Sequence, residues 1–358
     1  MKEWTKEFNP FNSNKLYAHI PRWSKIQRGE EIPAPALVTI DPTNKCNLSC
    51  VWCNSEYLRS RNSDSIPKDK LKEIADFLPE WGVDAVCIAG GGEPTIHPYL
   101  GQFVNRLLNN GTKVGLVTNG ALLDIHDLER CTWVGVSVDA GTDKTYSELK
   151  GSGFNRTLIN IGKLTEKHGE LSKEGQGHGV SYKYLLHPRN VGEVYVAADL
   201  AKKIGCRNMH IRPMGNPWDR KLKDTFSYGD IETFKEQLQQ ARELEDDKFR
   251  IFGITHKFDG NFQKSNQFDN CYAIFMTADF QPNGKGYNLG LCCDRRGDKR
   301  LTLEDMNPDK IKSFWGSDKH WEMFDNIRTS ECPRCTYQPH NKIYQEAIKT
   351  NNLTWEFI

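Results

Sequence analysis

The stretch Cys46-Asn47-Leu48-Ser49-Cys50-Val51-Trp52-Cys53 decides how this sequence is interpreted, because it places three thiols in one short segment. It follows the apolar run Leu37–Ile40, which predicts a strand. A strand that ends in a tight loop of three cysteines can present three sulfur atoms to one face of an iron–sulfur cluster. A cubane of four irons and four sulfides has four irons that each take one outside ligand, so three local cysteines leave one iron for a ligand that is not protein.

The overall composition excludes several kinds of partner. The chain has 358 residues, and its 48 Lys and Arg against 47 Asp and Glu give a formal net charge of +1. No global charge therefore indicates nucleic acid or an anionic membrane. The first residues lack the apolar core of a signal peptide, and no run approaches the roughly 20 apolar residues of a membrane span. We expect a soluble, cytoplasmic protein that needs neither membrane nor nucleic acid.

Cysteine is the informative residue type, with eleven in the chain. Without a secretory signal, clustered cysteines indicate metal ligands rather than disulfides. The early cysteines are Cys46, Cys50 and Cys53. The late cysteines are Cys271, Cys292, Cys293, Cys332 and Cys335. Three others lie in or beside apolar runs and are expected to be small buried side chains; they are Cys87, Cys131 and Cys206.

Between residues 35 and 213, apolar runs typical of strands alternate with helical patterns. Such alternation predicts an α/β protein with a parallel sheet and helices outside it. Six repeats suit a partial (β/α)6 TIM-like barrel, in which functional groups gather at the carboxyl ends of the strands. The predicted strands are Leu37–Ile40, Ala85–Ile88, Val114–Val117, Val134–Val138, Val180–Leu186 and Met209–Ile211.

The remaining segments predict additions to a barrel core at residues 35–215. Residues 1–34 show no clear periodicity, which predicts a partly helical lead-in packed on the barrel. Residues 216–270 are polar with one long helical pattern, and predict a helical bridge. Residues 271–345 hold the late cysteines and predict a small α+β module with short strands. Residues 346–358 are expected to form a surface tail.

The C-x3-C-x2-C spacing of the early cysteines resembles that of the radical S-adenosylmethionine (radical SAM) enzymes, and the resemblance covers residues 35–345. It implies a [4Fe–4S] cluster on these cysteines, whose open iron binds the amino and carboxylate groups of SAM. One electron then cleaves SAM to methionine and a 5′-deoxyadenosyl radical, which takes a hydrogen atom from the substrate. Zinc is the alternative occupant, although its sites prefer paired C-x2-C elements and four protein ligands.

Two motifs occupy positions that this family uses around SAM. Trp52 stands where the family places an aromatic ring against the adenine, with a core tryptophan as the alternative. A glycine run follows the second predicted strand and resembles the family's G-G-E-P stretch. The resemblance implies that it lines the amino end of the methionine of SAM. Its residues are Gly91, Gly92, Glu93 and Pro94.

Polar residues at the following strand ends resemble those with which the family holds the ribose and carboxylate of SAM. They are Asn119, Ser137 and Asp139, and ordinary turn chemistry is the alternative for each. Lys183 and Arg212 bring cations to the predicted barrel mouth. These cations could bind the SAM carboxylate or an anionic substrate, and surface salt bridges are the alternative.

The late cysteines resemble the twitch domain, a shortened SPASM domain that holds one auxiliary [4Fe–4S] cluster. Carried over, the ligands are Cys271, Cys292, Cys332 and Cys335. The interval before Cys292 is longer than the usual family spacing, so Cys293 is an alternative to Cys292. A structural zinc site is the alternative for the whole set.

These motifs predict a radical SAM enzyme of oxidoreductase type. We expect it to dehydrogenate a small metabolite, with the auxiliary cluster accepting the electron of the substrate radical. Many relatives that modify peptides carry a fused N-terminal recognition domain, and the segment before the first strand is too short for one. A peptide substrate, with cross-linking or epimerisation as the outcome, is the alternative. Epimerisation requires a thiol donor in the barrel, and neither Cys87 nor Cys206 is an obvious candidate.

The predicted chemistry also implies an electron donor, such as flavodoxin or ferredoxin. A hypothesis of another class is a zinc- or cluster-binding module that recognises a partner without catalysis. The near-neutral charge and the glycine run argue against that hypothesis.

Overall fold

The computed structural model describes residues 13–27, 31–61, 63–123, 128–173, 179–254, 258, 268–332 and 335–349. The strands are β1 Leu37–Ile40, β2 Ala85–Ile88, β3 Lys113–Thr118, β4 Trp133–Ser137, β5 Gly179–Leu186, β6 Asn208–Pro213, β7 Arg250–Gly253, β8 Thr277–Pro282, β9 Tyr287–Gly290 and β10 Thr302–Met306. The α-helices are α1 Ile20–Gln27, α2 Glu56–Arg61, α3 Lys68–Trp81, α4 Leu100–Asn109, α5 Asp143–Leu149, α6 Phe154–Lys173, α7 Val194–Lys203, α8 Tyr228–Arg242, α9 Pro308–Phe314, α10 Asp318–Asn326 and α11 Gln338–Lys349. Within the described ranges, no helix has both the length and the apolar character needed to cross a bilayer.

All the described strands belong to one sheet, in the order β10-β9-β8-β1-β2-β3-β4-β5-β6-β7. Strands β1 to β7 pair in parallel with their neighbours in chain order. On the other side of β1, strand β8 also pairs in parallel, with Thr39 opposite Asp279. Strands β9 and β10 then add antiparallel ladders. The carboxyl ends of β1 to β8 therefore meet at one edge, where the loops converge.

The predicted α/β fold with a partial TIM-like barrel is confirmed, and each of the six predicted strands is present within two residues at either end. Three segments differ in part from what the sequence predicts. The bridge at residues 216–270 is not only helical, because β7 lies in it and extends the barrel sheet. The strands of the cysteine-rich module also join that sheet through β8. In the predicted tail, residues up to Lys349 belong to α11.

Successive side chains of a strand point to opposite faces of the sheet, and this alternation explains where the core and the lumen lie. Val38 and Ile40 are fully buried, and they flank Thr39, which points to the opposite face. Val86 and Ile88 flank Cys87 in the same way. Burying each such aliphatic side chain contributes about 1.5–3 kcal/mol. The helices thus cover the Val and Ile face, and the other face is left to line the lumen.

The lead-in contacts both the barrel and the C-terminal helix α11. The Trp23 ring meets the Tyr344 ring of α11 edge-on. The Arg22 guanidinium donates to the Ala34 carbonyl at 2.8 Å and pairs with the Asp84 carboxylate at 2.6 Å. These contacts join the segment before β1 to the barrel and to α11.

His320 in α10 gives the C-terminal module a pH-dependent stability. Its ring is fully buried, accepts from the Gly316 amide through Nδ1 and donates to the Ile274 carbonyl through Nε2. Burial lowers its pKa to about 4. The unfolded chain therefore binds a proton that the folded chain excludes, so we expect stability to fall as the pH drops from 6.5 towards 4. The loss should reach at most about 3 kcal/mol.

Urea unfolding at several pH values measures this loss. Burial also lowers the pKa of His340 to about 4, so protonation of His340 in the unfolded chain destabilises the protein over the same pH range. The comparison variant is therefore His320→Gln, which should flatten only part of the pH dependence. An unchanged slope in His320→Gln would mean that the ring is protonated in the folded state.

Candidate functional site

A cavity of about 730 Å³ occupies the lumen and opens at the carboxyl ends of the strands. Nearly all of the residues predicted from the sequence to bind SAM or the first cluster line it. They are Cys46, Cys50, Cys53, Trp52, Gly91, Gly92, Glu93, Asn119, Ser137, Asp139 and Arg212. Pro94 is buried and begins a 3₁₀ turn at Pro94–Ile96. The sequence motifs thus converge on one site although they are distant in the chain.

The loop of early cysteines is held by backbone hydrogen bonds to the end of α5. The Ser49 amide donates to the Lys150 carbonyl at 3.2 Å, and the Val51 amide donates to the Leu149 carbonyl at 3.0 Å. These bonds leave the three thiols of the loop on the cavity side. The position of the loop therefore depends on the position of α5.

The side chain of Arg59, in α2, also holds this loop in position. Its Nη2 donates to the Leu48 carbonyl at 2.6 Å, and its Nη1 lies 3.7 Å from the Cys53 sulfur. A cation beside thiolate ligands offsets their negative charge. Burial raises the pKa of the Cys50 thiol to about 12, while the charge of Lys150 opposes that increase.

Glu93 is buried and joins β2 to the end of β3. Its Oε1 accepts from the Thr118 hydroxyl at 2.6 Å and from the Thr95 hydroxyl at 2.7 Å, and its Oε2 accepts from the Asn119 amide at 2.7 Å. These donors are all neutral. Oε1 also accepts from the Thr95 amide at 3.1 Å. Among the described residues Oε2 accepts from the Asn119 amide, so one of its two lone pairs is left for an ammonium group from the cavity.

The glycines before Glu93 are needed for a close approach of two backbone segments. A Cβ at Gly91 would lie 2.0 Å from the Asn44 side-chain oxygen, and a Cβ at Gly92 would lie 1.9 Å from the Lys45 carbonyl. The Gly92 amide donates to Thr43 and the Glu93 amide to Lys45. The glycine run therefore packs against the segment that leads into Cys46, as well as lining the cavity.

Asn119 and Asp139 make hydrogen bonds within the protein. The Asn119 Nδ2 donates to the Asn47 side chain at 2.7 Å, which ties β3 to the cysteine loop. Asp139 has a φ of +63°, and its carboxylate pairs with Lys150 at 2.7 Å and accepts from the Leu185 amide at 2.7 Å. Both side chains thus position the loop. Whether they also contact SAM stays a prediction.

Lys150 is the buried cation at the centre of this arrangement. Only 1% of its side chain is exposed. Burial alone would lower its pKa, but the charges of Asp139 and Cys50 outweigh burial and raise the pKa to about 12. Lys150 is therefore charged at neutral pH, and it links the end of β4 to the loop of early cysteines.

Cations also stand on the lumen face of β5 and β6. The side chain of Lys183 lies against Gly135, where a Cβ would collide with it, and its Nζ is 5.5 Å from the centre of the Trp133 ring. Burial, followed by the charge of Arg212, lowers the pKa of Lys183 to about 8. Both side chains line the cavity. A deep part of the site is consequently electropositive.

The late cysteines form a second group of sulfurs, next to the cavity. Burial raises the pKa of the Cys271 thiol to about 12, and the charge of Cys332 raises it further. Burial dominates for Cys292 as well, and it is close enough to Cys271 and Cys335 for their charges to raise its pKa too. Asn341 Nδ2 lies 3.9 Å from the Cys271 sulfur and 4.0 Å from the Cys335 sulfur.

Cys293 lines the cavity and Cys292 does not, although the two thiols are close enough for the charge of Cys293 to act on Cys292. The geometry therefore favours Cys292 over Cys293 as a member of the late sulfur set. The assignment of cluster ligands itself stays a prediction.

The chain matches a family model described as Radical SAM superfamily over residues 40–217. That range runs from the end of β1, through the cysteine loop and the glycine run, to just past β6. The chain belongs to the radical SAM superfamily. Family membership, predicted from the cysteine spacing, is thereby confirmed.

Similar proteins act on different substrates. An AdoMet-dependent heme synthase of Methanosarcina barkeri is 27% identical over 185 residues, 50% of this chain and 50% of that protein. The mycofactocin maturase MftC of Mycobacterium tuberculosis is 28% identical over 209 residues, 56% of this chain and 50% of that protein. The chain thus spans about half the length of these curated relatives.

Among solved structures, Streptococcus suis SuiB bound to the precursor peptide SuiA aligns with a TM-score of 0.65 and 15% identity. It covers 94% of this chain and 79% of that chain. The likeness extends over the C-terminal module as well as the barrel. It shows that the two chains share a fold.

The cofactors of the radical SAM superfamily are a [4Fe–4S] cluster and SAM, and the residues of this site fit them. The early cysteines offer three thiols on one face of a loop, with Arg59 and Lys150 as nearby cations. Across the described ranges, no three His, Cys, Asp or Glu side chains converge closely enough to hold a single metal ion. A cluster is larger than an ion and takes sulfur ligands that stand farther apart.

We expect Gly92→Ala to damage the radical SAM site. Its Cβ would collide with the Lys45 carbonyl, and a backbone atom cannot turn aside as a side chain can. Overpacking of this kind costs about 1–3 kcal/mol, and here it displaces the segment that carries Cys46. Iron bound per chain after anaerobic reconstitution measures the effect.

The matched control for Gly92→Ala is Gly162→Ala in helix α6. A Cβ at Gly162 meets no heavy atom of the described residues within 4 Å. Alanine should therefore stabilise α6 by about 0.8–1 kcal/mol and leave the bound iron unchanged. Full iron content in Gly92→Ala would contradict the proposed collision.

Several residues of the site were missed by sequence reasoning. No motif marks Arg59, Lys150 or Arg296. Arg59 and Lys150 contact groups in nearby parts of the chain, whereas the partner of Arg296, Asp41, is distant. Tyr337 also lines the cavity. Its closeness to Cys335 in sequence is the one signal that could have drawn attention to it.

Proposed function

We propose that this chain is a radical SAM enzyme that abstracts a hydrogen atom from a small polar molecule held in the lumen cavity. The observation that carries the proposal is the convergence of the early cysteines, the glycine run and the buried cations on one cavity. The cluster and SAM, when bound, supply a 5′-deoxyadenosyl radical. The chain's own residues position both, bind the substrate and exclude water.

In this proposal the cysteine loop holds the first cluster, and the surrounding residues hold the loop. Arg59 fixes the Leu48 carbonyl, and the Lys150 backbone accepts from Ser49. Glu93 offers an acceptor for the ammonium group of SAM. Trp52 is buried with its ring 5.5 Å from that of His187, and the part of it that lines the cavity can meet the adenine.

The charge of the lumen supports an anionic substrate. Lys183 and Arg212 are both at the cavity, and two cations near one another favour a carboxylate or phosphate between them. Cavities of 300–1,000 Å³ typically hold drug-sized ligands. The volume of about 730 Å³ therefore suits SAM together with a small molecule.

The late cysteines support an auxiliary [4Fe–4S] cluster beside the cavity. Cys271, Cys292, Cys332 and Cys335 are the proposed ligands, with Asn341 as a donor to two of their sulfurs. A cluster at this place can exchange one electron with the substrate. A cluster held there would take one electron from the substrate radical, and with the loss of one proton this gives the dehydrogenated product predicted from the sequence, whereas return of a hydrogen atom gives a redox-neutral product.

Peptide modification is the second candidate. It is favoured by the fold likeness to SuiB, which was solved with a precursor peptide bound. Binding of a peptide to this chain would require the cavity mouth to admit an extended segment. A small molecule is preferred because Lys183 lies beside Trp133, the first residue of β4, and therefore away from the cavity mouth at the carboxyl ends of the strands.

Anaerobic reconstitution followed by dithionite and SAM tests the proposal. We expect about eight irons per chain, a brown protein and formation of 5′-deoxyadenosine. Zinc at both sites with no 5′-deoxyadenosine would overturn the enzyme proposal in favour of a binding module. Titration with small carboxylates and phosphates against short peptides, scored by the rate of 5′-deoxyadenosine formation, separates the two substrate classes.

A further inference from the structure

Two adjacent cysteines of the C-terminal module, Cys292 and Cys293, lie in different surroundings. Cys292 does not line the lumen cavity, and the charges of Cys293, Asp294, Cys271 and Cys335 act on its thiol. Cys293 lines the lumen cavity together with Tyr337. One of the pair thus belongs to the late sulfur set, and the next residue presents a thiol to the chamber in which the proposed radical forms.

The position of Cys293 is fixed by a buried network of charges. Arg296 Nη1 donates to the Cys293 carbonyl at 2.5 Å, and Arg296 Nε pairs with Asp41 at 2.5 Å and lies 3.5 Å from Asp279. The carboxylates of Asp41 and Asp279 are almost completely buried. Asp41 directly follows β1, which leads into the loop of early cysteines. The network therefore ties Cys293 to the strand end from which the cysteine loop departs.

Tyr337 orients the thiol. Its hydroxyl donates a hydrogen bond to the Cys293 sulfur. Tyr337 also lines the cavity, two residues after Cys335. The thiol is thus held by a hydroxyl on one side and by a fixed backbone on the other.

A thiol S–H bond is weaker than an aliphatic C–H bond, so a thiol gives its hydrogen atom readily to a carbon radical. We infer that Cys293 is the hydrogen-atom donor that quenches the substrate radical in this cavity, with Tyr337 as the residue that positions its thiol. The inference rests on the proposed function, and it adds the residue that ends the radical reaction.

Cys293 gives up its hydrogen atom in one step, and its thiol is restored in a second step. The substrate carbon radical takes the hydrogen atom of Cys293, so a C–H bond forms, the S–H bond breaks, and a thiyl radical remains. The thiyl radical then gains one electron from a one-electron reductant of the iron–sulfur class and one proton from solvent, which restores the thiol. The substrate thus loses one hydrogen atom to the adenosyl radical and regains another that originates in solvent. The outcome is redox-neutral, in contrast to the dehydrogenation expected from the sequence.

Cys87 is the competing cavity thiol. It lies in the middle of β2, in register with Thr39 of β1 and Gly115 of β3. Cys293 is tied through Arg296 to Asp41, beyond the end of β1, and the charges of Arg296 and Asp41 also reach Cys87. Since the early cysteines follow that strand end, the donor role is assigned to Cys293, and the variants below distinguish it from Cys87.

The test uses the adenosyl radical itself as the carbon radical, so it needs no identified substrate. The reconstituted protein is incubated with SAM and dithionite in D₂O, where the thiol exchanges to S–D, and the 5′-deoxyadenosine is analysed by mass spectrometry. We expect most of the 5′-deoxyadenosine from the unaltered protein to carry one solvent deuterium. In Cys293→Ala the deuterated fraction should fall at least several-fold. This fraction does not depend on how much 5′-deoxyadenosine forms.

Two further variants locate the donor. Cys87→Ala should keep the deuterated fraction of the unaltered protein, and Tyr337→Phe should lower it part of the way. An unchanged fraction in Cys293→Ala, a loss in Cys87→Ala alone, or no deuterium in the unaltered protein would each overturn the inference. Absence of 5′-deoxyadenosine from the unaltered protein would instead overturn the proposed function.

A second measurement does not depend on turnover. Iron content and the electron paramagnetic resonance spectrum of reduced Cys293→Ser should match those of the unaltered protein, whereas Cys292→Ser should lose about half of its iron. In the reconstituted protein, iodoacetamide should alkylate Cys293 and spare Cys292. Loss of iron from Cys293→Ser would identify Cys293 as a cluster ligand and end its assignment as the hydrogen donor.

Discussion

Replacing Cys50 with serine is expected to remove the first cluster and abolish cleavage of SAM. Cys50 is the central thiol of the loop, and it lines the cavity beside Cys46 and Cys53. Serine has nearly the same shape but offers a hard oxygen in place of a soft thiolate. Bound iron should fall from about eight to about four atoms per chain, with 5′-deoxyadenosine below detection.

Cys131→Ala is the matched control for the Cys50 variant. Cys131 is buried outside the cavity lining. Its removal should lower stability modestly, in proportion to the small volume lost, and leave the iron content and SAM cleavage intact. Eight irons in Cys50→Ser would show that the early loop does not hold a cluster.

The second large effect is expected for Asp139→Asn, which breaks the buried pair with Lys150. Removing one partner of a buried ion pair costs about 3–5 kcal/mol, because the other charge is left without compensation. Asparagine tolerates the φ of +63° that Asp139 adopts, so the variant removes charge without adding backbone strain. Chemical unfolding at pH 7.5 measures the loss.

The same variant should also weaken cluster binding. The Lys150 carbonyl accepts from Ser49, so disturbance at Lys150 reaches the cysteine loop. The double variant Asp139→Asn, Lys150→Met removes both charges and should recover part of the lost stability. If Asp139→Asn proved neutral, Lys150 would have to be neutral in the folded protein, contrary to its raised pKa.

The sequence predicted a strand well where an apolar run is followed directly by residues that end a strand. Leu37–Ile40 was predicted with its observed bounds, because a mainly apolar run ends at Asp41-Pro42. Strand β7 was missed because Arg250–Gly253 contains a single pair of large apolar residues within a charged segment. Its place in the sheet is decided by pairing with β6, which no local pattern reveals.

The sequence predicted where the site lies better than it predicted which hydrogen bonds the site residues make. Motif spacing brought Glu93, Asn119 and Asp139 to the correct cavity. Sequence could not tell that each makes hydrogen bonds within the protein, since Asn119 meets Asn47 and Asp139 meets Lys150. Arg296 was not identified at all, because its partner Asp41 lies near the other end of the chain.

The pairing of β8 with β1 has a consequence for how the protein is made. Strand β1 leaves the ribosome early, yet its second neighbour is synthesised only after all of the barrel helices. Until then one edge of β1 has exposed backbone groups, a condition that favours association with other nascent chains. We therefore expect polypeptides interrupted before Thr277 to need chaperones to stay in solution. Cellular insertion of iron and sulfur at the first site would accordingly follow completion of the whole chain.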